Sequence, residues 1–374
     1  MRGTCGFSPC HRSARAVSNC VPTLVPVKDV HSRVRIGRPL AAGGRATSLF
    51  FVRPAHQVTM PGSRDVYVPL APVLAALALA ACEPAPSPFG TAPVPTPVRF
   101  APERSTPGLS EYGVTFTPDA TEAYFTQQGG GRRGRPQIFV SRFTEDAWSR
   151  AEPAPFSTGW EDSPFLTPDG RLLLFSSRRD VPEWGPVRGN NNLWEVERVE
   201  GAWGQPRPLE GDVNKPRVDD DDAPTRSESG PVVLPGGELL YWTTESAEWG
   251  ADLYVADPLG DAFVNPRPLL LNTAGAESSP AVSPDGRVLV FQSYRDLDAI
   301  GEQDLYLSER TEFGWSAPRL LPEPLNSPAS DGYPSFSPDG RYFFFASDRR
   351  APGGNWSIYY VEAVALSVSG DDGT

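Results

Sequence analysis

Asp331 to Arg349 reads DGYPSFSPDGRYFFFASDR: an acidic residue, a Pro, a Ser-Pro-Asp-Gly turn, a run of aromatics, then an Arg. Four earlier segments repeat it: Glu111 to Gln128 (EYGVTFTPDATEAYFTQQ), Glu161 to Arg179 (EDSPFLTPDGRLLLFSSRR), Glu228 to Glu245 (ESGPVVLPGGELLYWTTE) and Glu277 to Arg295 (ESSPAVSPDGRVLVFQSYR). Aligned on the turn prolines Pro118, Pro168, Pro235, Pro284 and Pro338, an acid always lies seven positions before the proline and an aromatic seven after it. Pro presets the φ of a turn, Asp bonds nearby amides and Gly takes positive φ without a Cβ clash, so each copy predicts two short strands joined tightly. Five copies without a slip predict a repeat architecture.

A third strand follows each pair: Gln137-Ile138-Phe139-Val140, Asn192-Leu193-Trp194, Asp252-Leu253-Tyr254-Val255, Asp304-Leu305-Tyr306-Leu307 and Ser357-Ile358-Tyr359-Tyr360. Fourth strands carrying an aromatic three residues before a Pro are expected at Trp203–Leu209, Phe263–Leu269 and Trp315–Leu321, with Trp148–Phe156 a looser version. The last copy has no such strand after it, and Pro97-Val98-Arg99-Phe100 echoes Pro318-Arg319-Leu320. The expected fold is therefore all-β, a five-bladed β-propeller of four-stranded blades closed by an N-terminal strand, with six blades, one degenerate, as the alternative.

These motifs resemble the TolB-type, WD40-like propeller repeat, in which an acid and a Pro precede Ser-Pro-Asp-Gly, an aromatic strand, a Ser-x-Arg and an Asp-Ile/Leu-Tyr strand. The resemblance covers roughly Pro97 to Glu362. The third copy departs most, with Pro235-Gly236-Gly237, and the first has Ala120 for the turn glycine. TolB-like proteins usually have six blades and a further N-terminal domain.

Residues 1–59 carry about nine basic residues against the single acid Asp29, together with all three His and three of the four Cys. They show no strand or helix period and are expected to be disordered or to lie upstream of the true start at Met60. From Met60, Arg64, an apolar run from Val73 to Ala81 and Leu79-Ala80-Ala81-Cys82 resemble a lipoprotein signal peptide (60–81). That resemblance implies cleavage before Cys82, lipidation there and a stable membrane anchor, since several acyl chains hold where one is marginal. Residues 82–96 (CEPAPSPFGTAPVPT) read as a proline-rich tether, 97–364 as the propeller and 365–374 as a flexible tail. The expected setting is the cell envelope, facing the periplasm.

Beyond Cys82 there is no Cys and no His. Ser-His-Asp and Cys-His catalysis, His- or Cys-ligated zinc and disulfides are excluded from that region. Without residues 1–59 the net charge is about −20, which argues against nucleic acid and for cationic ions or proteins.

The repeated acids Glu111, Glu161, Glu228, Glu277 and Asp331 are expected to ring the channel mouth on the face of the longer loops. Arg179, Arg295 and Arg349 end the second strands of three blades and are candidate partners. Such a ring would either cap backbone amides and pair with arginine between blades, or hold a cation or basic ligand group. Asp219, Asp220, Asp221 and Asp222 offer oxygen ligands for calcium, although their spacing fits no EF-hand; no other cofactor is expected. Gly129–Arg135 and Val181–Asn192 are candidate contact loops.

The expected function is that of a non-catalytic, lipid-anchored, monomeric binding module for an envelope protein or ligand. The alternatives are a calcium-binding propeller and a glycoside hydrolase, because some of these enzymes have a five-bladed scaffold with carboxylates near the axis. Hydrolysis needs two carboxylates in unlike environments, and these acids occupy equivalent positions.

Overall fold

The computed structural model describes residues 87–90, 92–100, 106–129, 134–181, 184, 190–216, 227–244, 250–295, 299–350 and 354–367. Cys82, Asp219–Asp222 and the signal segment lie outside the described residues.

Five small antiparallel sheets form the blades. Their inner strands, Leu109–Phe116, Glu161–Leu166, Glu228–Val233, Glu277–Val282 and Asp331–Phe336, contact one another in sequence order, and the last contacts the first. The chain is thus a closed five-bladed β-propeller. Closure falls where the repeat pattern puts it. Val98 pairs with Tyr360 and Arg99 with Tyr359, so the N-terminal strand becomes the fourth strand of the last blade. That pairing covers an edge which would otherwise be open to association.

The turns follow the sequence chemistry. Asp285 Oδ1 accepts from Ser283 Oγ at 2.6 Å and from the Arg287 amide at 3.1 Å, while Gly286 sits at φ 75°. In the first blade Ala120 occupies the same left-handed position, at φ 56°.

Side chains from neighbouring sheets interdigitate to form the core. Phe125, Phe175, Phe291 and Phe345, four of the five aromatics seven residues after the turn proline, are completely or almost completely buried, while the fifth, Trp242, is half-buried. A second repeated device fixes the loop from the fourth strand to the next blade in three places. Asn326 Oδ1 accepts from Leu305 N at 2.8 Å, and its amide donates to the carbonyls of Leu305 at 3.0 Å and Leu321 at 2.7 Å. Asn214 and Asn272 bond Leu193 and Leu253 in the same way.

The described parts of the expected tether and tail, 87–90, 92–96 and 365–367, pack on the propeller. Phe89 and Val94 are buried, Phe89 packing on Phe100, Phe116, Tyr342, Phe344 and Tyr360. Trp148 Nε1 donates to Pro88 O at 3.0 Å and Glu362 N to Val94 O at 2.9 Å. At the other end Ala363–Ser367 forms a 3-10 turn that buries Leu366. Phe89 and Val94 fill the seam between the last and first blades and Leu366 packs on the other face of the last blade, so proline content alone did not decide the state of the N-terminal segment.

Candidate functional site

The repeated carboxylates are on the inner strands, yet they do not form an open rim. All five are 2% exposed or less. Glu161 accepts from Ser157 Oγ, from the amide and hydroxyl of Thr158, and from the Gly159 amide. Glu277 accepts from the Thr273 amide at 2.8 Å and hydroxyl at 2.7 Å, and Asp331 accepts from the Ser327 amide and hydroxyl, each at 2.7 Å. Glu161, Glu277 and Asp331 thus cap the loops that enter their own blades, where burial makes an unbonded carboxylate expensive.

The arginine partners also act within a blade, not between blades as the sequence suggested. Arg179 pairs with Glu161 at 3.1 Å, Arg295 with Glu277 at 3.2 Å and Arg349 with Asp331 at 2.7 Å. Second and third strands are neighbours in one sheet, so each guanidinium also covers the aromatics there: Arg349 lies 4.9 Å from the Phe345 ring centroid and 5.1 Å from that of Tyr359. Burial raises the Asp331 carboxyl above its ordinary value, and the Arg349 charge opposes the shift. Glu111, in a blade without such an arginine, is not exposed by the difference and accepts from Gln127 Nε2 at 2.9 Å.

Where the repeat varies, groups converge on the axis. The residues after the five acids are Tyr112, Asp162, Ser229, Ser278 and Gly332, of which Asp162 alone is a carboxylate. The next residues form a bulge in every inner strand, and Gly113, Ser163, Gly230, Ser279 and Tyr333 there take positive φ. Their freed amides bond across the seams: Ser163 N to Thr126 Oγ1 at 3.1 Å, Gly230 N to Ser176 Oγ at 3.0 Å and Tyr333 N to Gln292 Oε1 at 2.9 Å.

Tyr333 brings an aromatic ring to a position that is Gly or Ser in the other blades. Its ring lies 4.4 Å from that of Tyr112 and 5.5 Å, edge to face, from that of Trp356. Tyr112 OH donates to Gln128 Oε1 at 3.1 Å, and burial, then the charge of Asp162, push its phenol well above the ordinary value. Asp162 is half-buried, and burial raises it to about 6 against hydrogen bonds from Ser176 and Ser163 and the charge of Arg178. Exposed Arg178 lies 4.5 Å over the Trp160 ring and donates from Nε to Asn191 Oδ1 at 3.0 Å. Trp160 is also held at positive φ, 68°. A bulky residue in that region is strained, and such strain concentrates at functional sites.

From the bulges, whose residues line its upper end, the axis opens into a cavity of about 760 Å³ that reaches the turn prolines. Its wall is mostly proline, valine and phenylalanine. Among the described residues no three of His, Cys, Asp and Glu converge as a metal-ligand set.

No protein-family model matches the chain, and no curated protein matches it. Solved structures with a similar chain path include a protein assigned as TolB from Agrobacterium tumefaciens, at 18% identity and TM-score 0.40, covering 67% of this chain and 76% of that one. A thermostable family-43 glycoside hydrolase is similar at 14% identity and TM-score 0.43, over 68% of this chain and 88% of that one. A puromycin-hydrolyzing peptidase from Mycobacterium tuberculosis is similar at 16% identity and TM-score 0.37, over 68% of this chain and only 36% of that one. The strand pairing itself defines the class, a five-bladed β-propeller. A TolB stands among its structural neighbours, alongside enzymes.

Proposed function

We propose that this protein is a non-catalytic binding propeller of the cell envelope, anchored through Cys82, whose ligand is recognised on the axis by Asp162, Arg178, Tyr112 and Tyr333. One observation carries the reading. Glu161, Glu277 and Asp331 are taken up by their own loops and arginines, whereas Tyr333 at its bulge and the opposite charges of Asp162 and Arg178 occur once and all act on Tyr112. The ligand this set fits is zwitterionic: an ammonium against Asp162 and the tyrosine faces, a carboxylate against Arg178. A free peptide or amino acid has that pattern.

The raised Asp162 carboxyl would suit a general acid, but glycoside hydrolysis needs a second carboxylate within about 5–9.5 Å that is free to act. The nearest acid in sequence, Glu161, is bonded to four groups of its own loop and to Arg179. Titration calorimetry with the dipeptide Ala-Tyr, its doubly blocked form and an aryl glycoside panel tests both readings. Saturable binding of the free dipeptide alone, without glycoside turnover, supports the proposal; turnover lost in Asp162→Asn would replace it with catalysis.

A further inference from the structure

The axial cavity adjoins the Asp162 cluster, with Ser163 and Tyr333 at their shared end, and its wall is of opposite character. It runs from the bulges to the turn prolines, five residues along each inner strand, or about 16 Å at about 3.3 Å per residue. Its volume of about 760 Å³ then corresponds to a mean cross-section of about 50 Å², enough for one slim chain and too narrow for a folded segment. Val232, Ala281, Phe165 and Phe336 line it along with the prolines. Such a wall offers water few partners, and an apolar cavity of this size gains by taking an apolar occupant.

Its mouth selects what can enter. The turn loops carry Asp119, Asp169, Glu238, Asp285 and Asp339 against Arg171, Arg287 and Arg341, leaving an acidic excess. Two of these arginines are turned to acids of the same face, Arg171 to Glu197 at 3.6 Å and Arg287 to Asp285 at 3.9 Å. Hydrogen bonds from Thr117, Thr167 and Ser283 hold Asp119, Asp169 and Asp285 below the ordinary carboxylate range, so they stay charged near neutrality. Around the same face the hairpins between third and fourth strands expose Val199, Leu259 and Phe313, the last 91% exposed.

We infer that the axial cavity is a second binding site, taking a single unbranched apolar chain with a cationic or neutral head that enters tail-first from the turn face. The inference goes beyond the proposed function and does not depend on it. The test is titration of the full soluble domain, below micelle concentration, with decyltrimethylammonium, decyl maltoside and decanoate. The cationic and neutral amphiphiles should bind saturably, the anionic one at least tenfold more weakly, and butyltrimethylammonium not measurably. Ala281→Phe fills the cavity from its wall and should weaken decyltrimethylammonium at least tenfold while leaving Ala-Tyr binding unchanged; Ser335→Phe, from another blade, gives a second block should the first variant misfold. Equal binding of all three head groups, no saturable binding, or binding untouched by either folded variant would overturn the inference.

Discussion

The Tyr333 ring rests 4.4 Å from the Tyr112 ring while the Tyr333 backbone is held at φ 51°. Left-handed backbone at such a residue costs about 1–3 kcal/mol, and the ring contact returns about 0.5–1.5 kcal/mol. Tyr333→Gly should therefore leave urea-unfolding stability within about 1 kcal/mol of wild type, because strain and stacking leave together. Ala-Tyr affinity should fall at least tenfold. A large loss of stability with intact affinity would make Tyr333 a packing residue.

Asp162 predicts an unusual pH dependence. Folding raises its pKa from 3.8 to about 6, so the folded chain holds this proton more tightly than the unfolded chain. The residue costs stability above pH 6, and the cost fades as pH falls towards 4, by at most about 3 kcal/mol. Asp162→Asn should be more stable than wild type at pH 7.5 and equal to it near pH 4, as measured by denaturant unfolding. Affinity for an ammonium-bearing ligand runs the other way and should weaken as pH drops through 6 in wild type only.

Ala120 is the one non-glycine in the left-handed position of the five inner turns. Ala120→Gly should raise stability by about 1 kcal/mol, since it removes the Cβ penalty at positive φ. A drop in Tm would show that unfolded-chain entropy outweighs that relief.

Closing the ring rests on the seam that Phe89 and Phe100 fill. Phe89→Ala removes a side chain in contact with five aromatic rings and should cost about 3 kcal/mol. Starting the chain at 101 should be worse: it uncovers the Ser357–Glu362 edge, and size-exclusion chromatography should show association. A monomeric truncation of wild-type stability would contradict this account of closure.

Much of the fold was legible because turn chemistry and burial act on every copy alike: the acid, Pro-Asp-Gly and aromatic recur at fixed spacing, and Val98 pairs where Pro318-Arg319-Leu320 predicts. The burial of the five acids was less legible. Glu277 and Asp331 look like a charged rim in sequence, and only the loop geometry shows Thr273 and Ser327 turned back to satisfy them. The Asn-Thr and Asn-Ser pairs at Asn272 and Asn326 were a readable signal for those loops. The axial site is the converse case. Its members sit in repeat columns, yet they matter where the column changes, as Tyr333 does against Gly113 and Gly230, so attention to what repeats passed over it. Trp160 and Arg178 come together through backbone conformation and cross-strand placement that spacing does not encode.

The central claim is that the repeated acids hold the fold while the unrepeated axial residues bind. Ala-Tyr titration calorimetry and urea unfolding on Glu277→Gln and Asp162→Asn, side by side at pH 7.5, test it most directly. Glu277→Gln breaks a buried, arginine-paired cap and should lose about 3 kcal/mol of stability with affinity unchanged. Asp162→Asn should keep or gain stability and lose at least tenfold in affinity. The opposite pattern, with Glu277→Gln losing affinity at full stability and Asp162→Asn binding as wild type does, would return the site to the carboxylate ring.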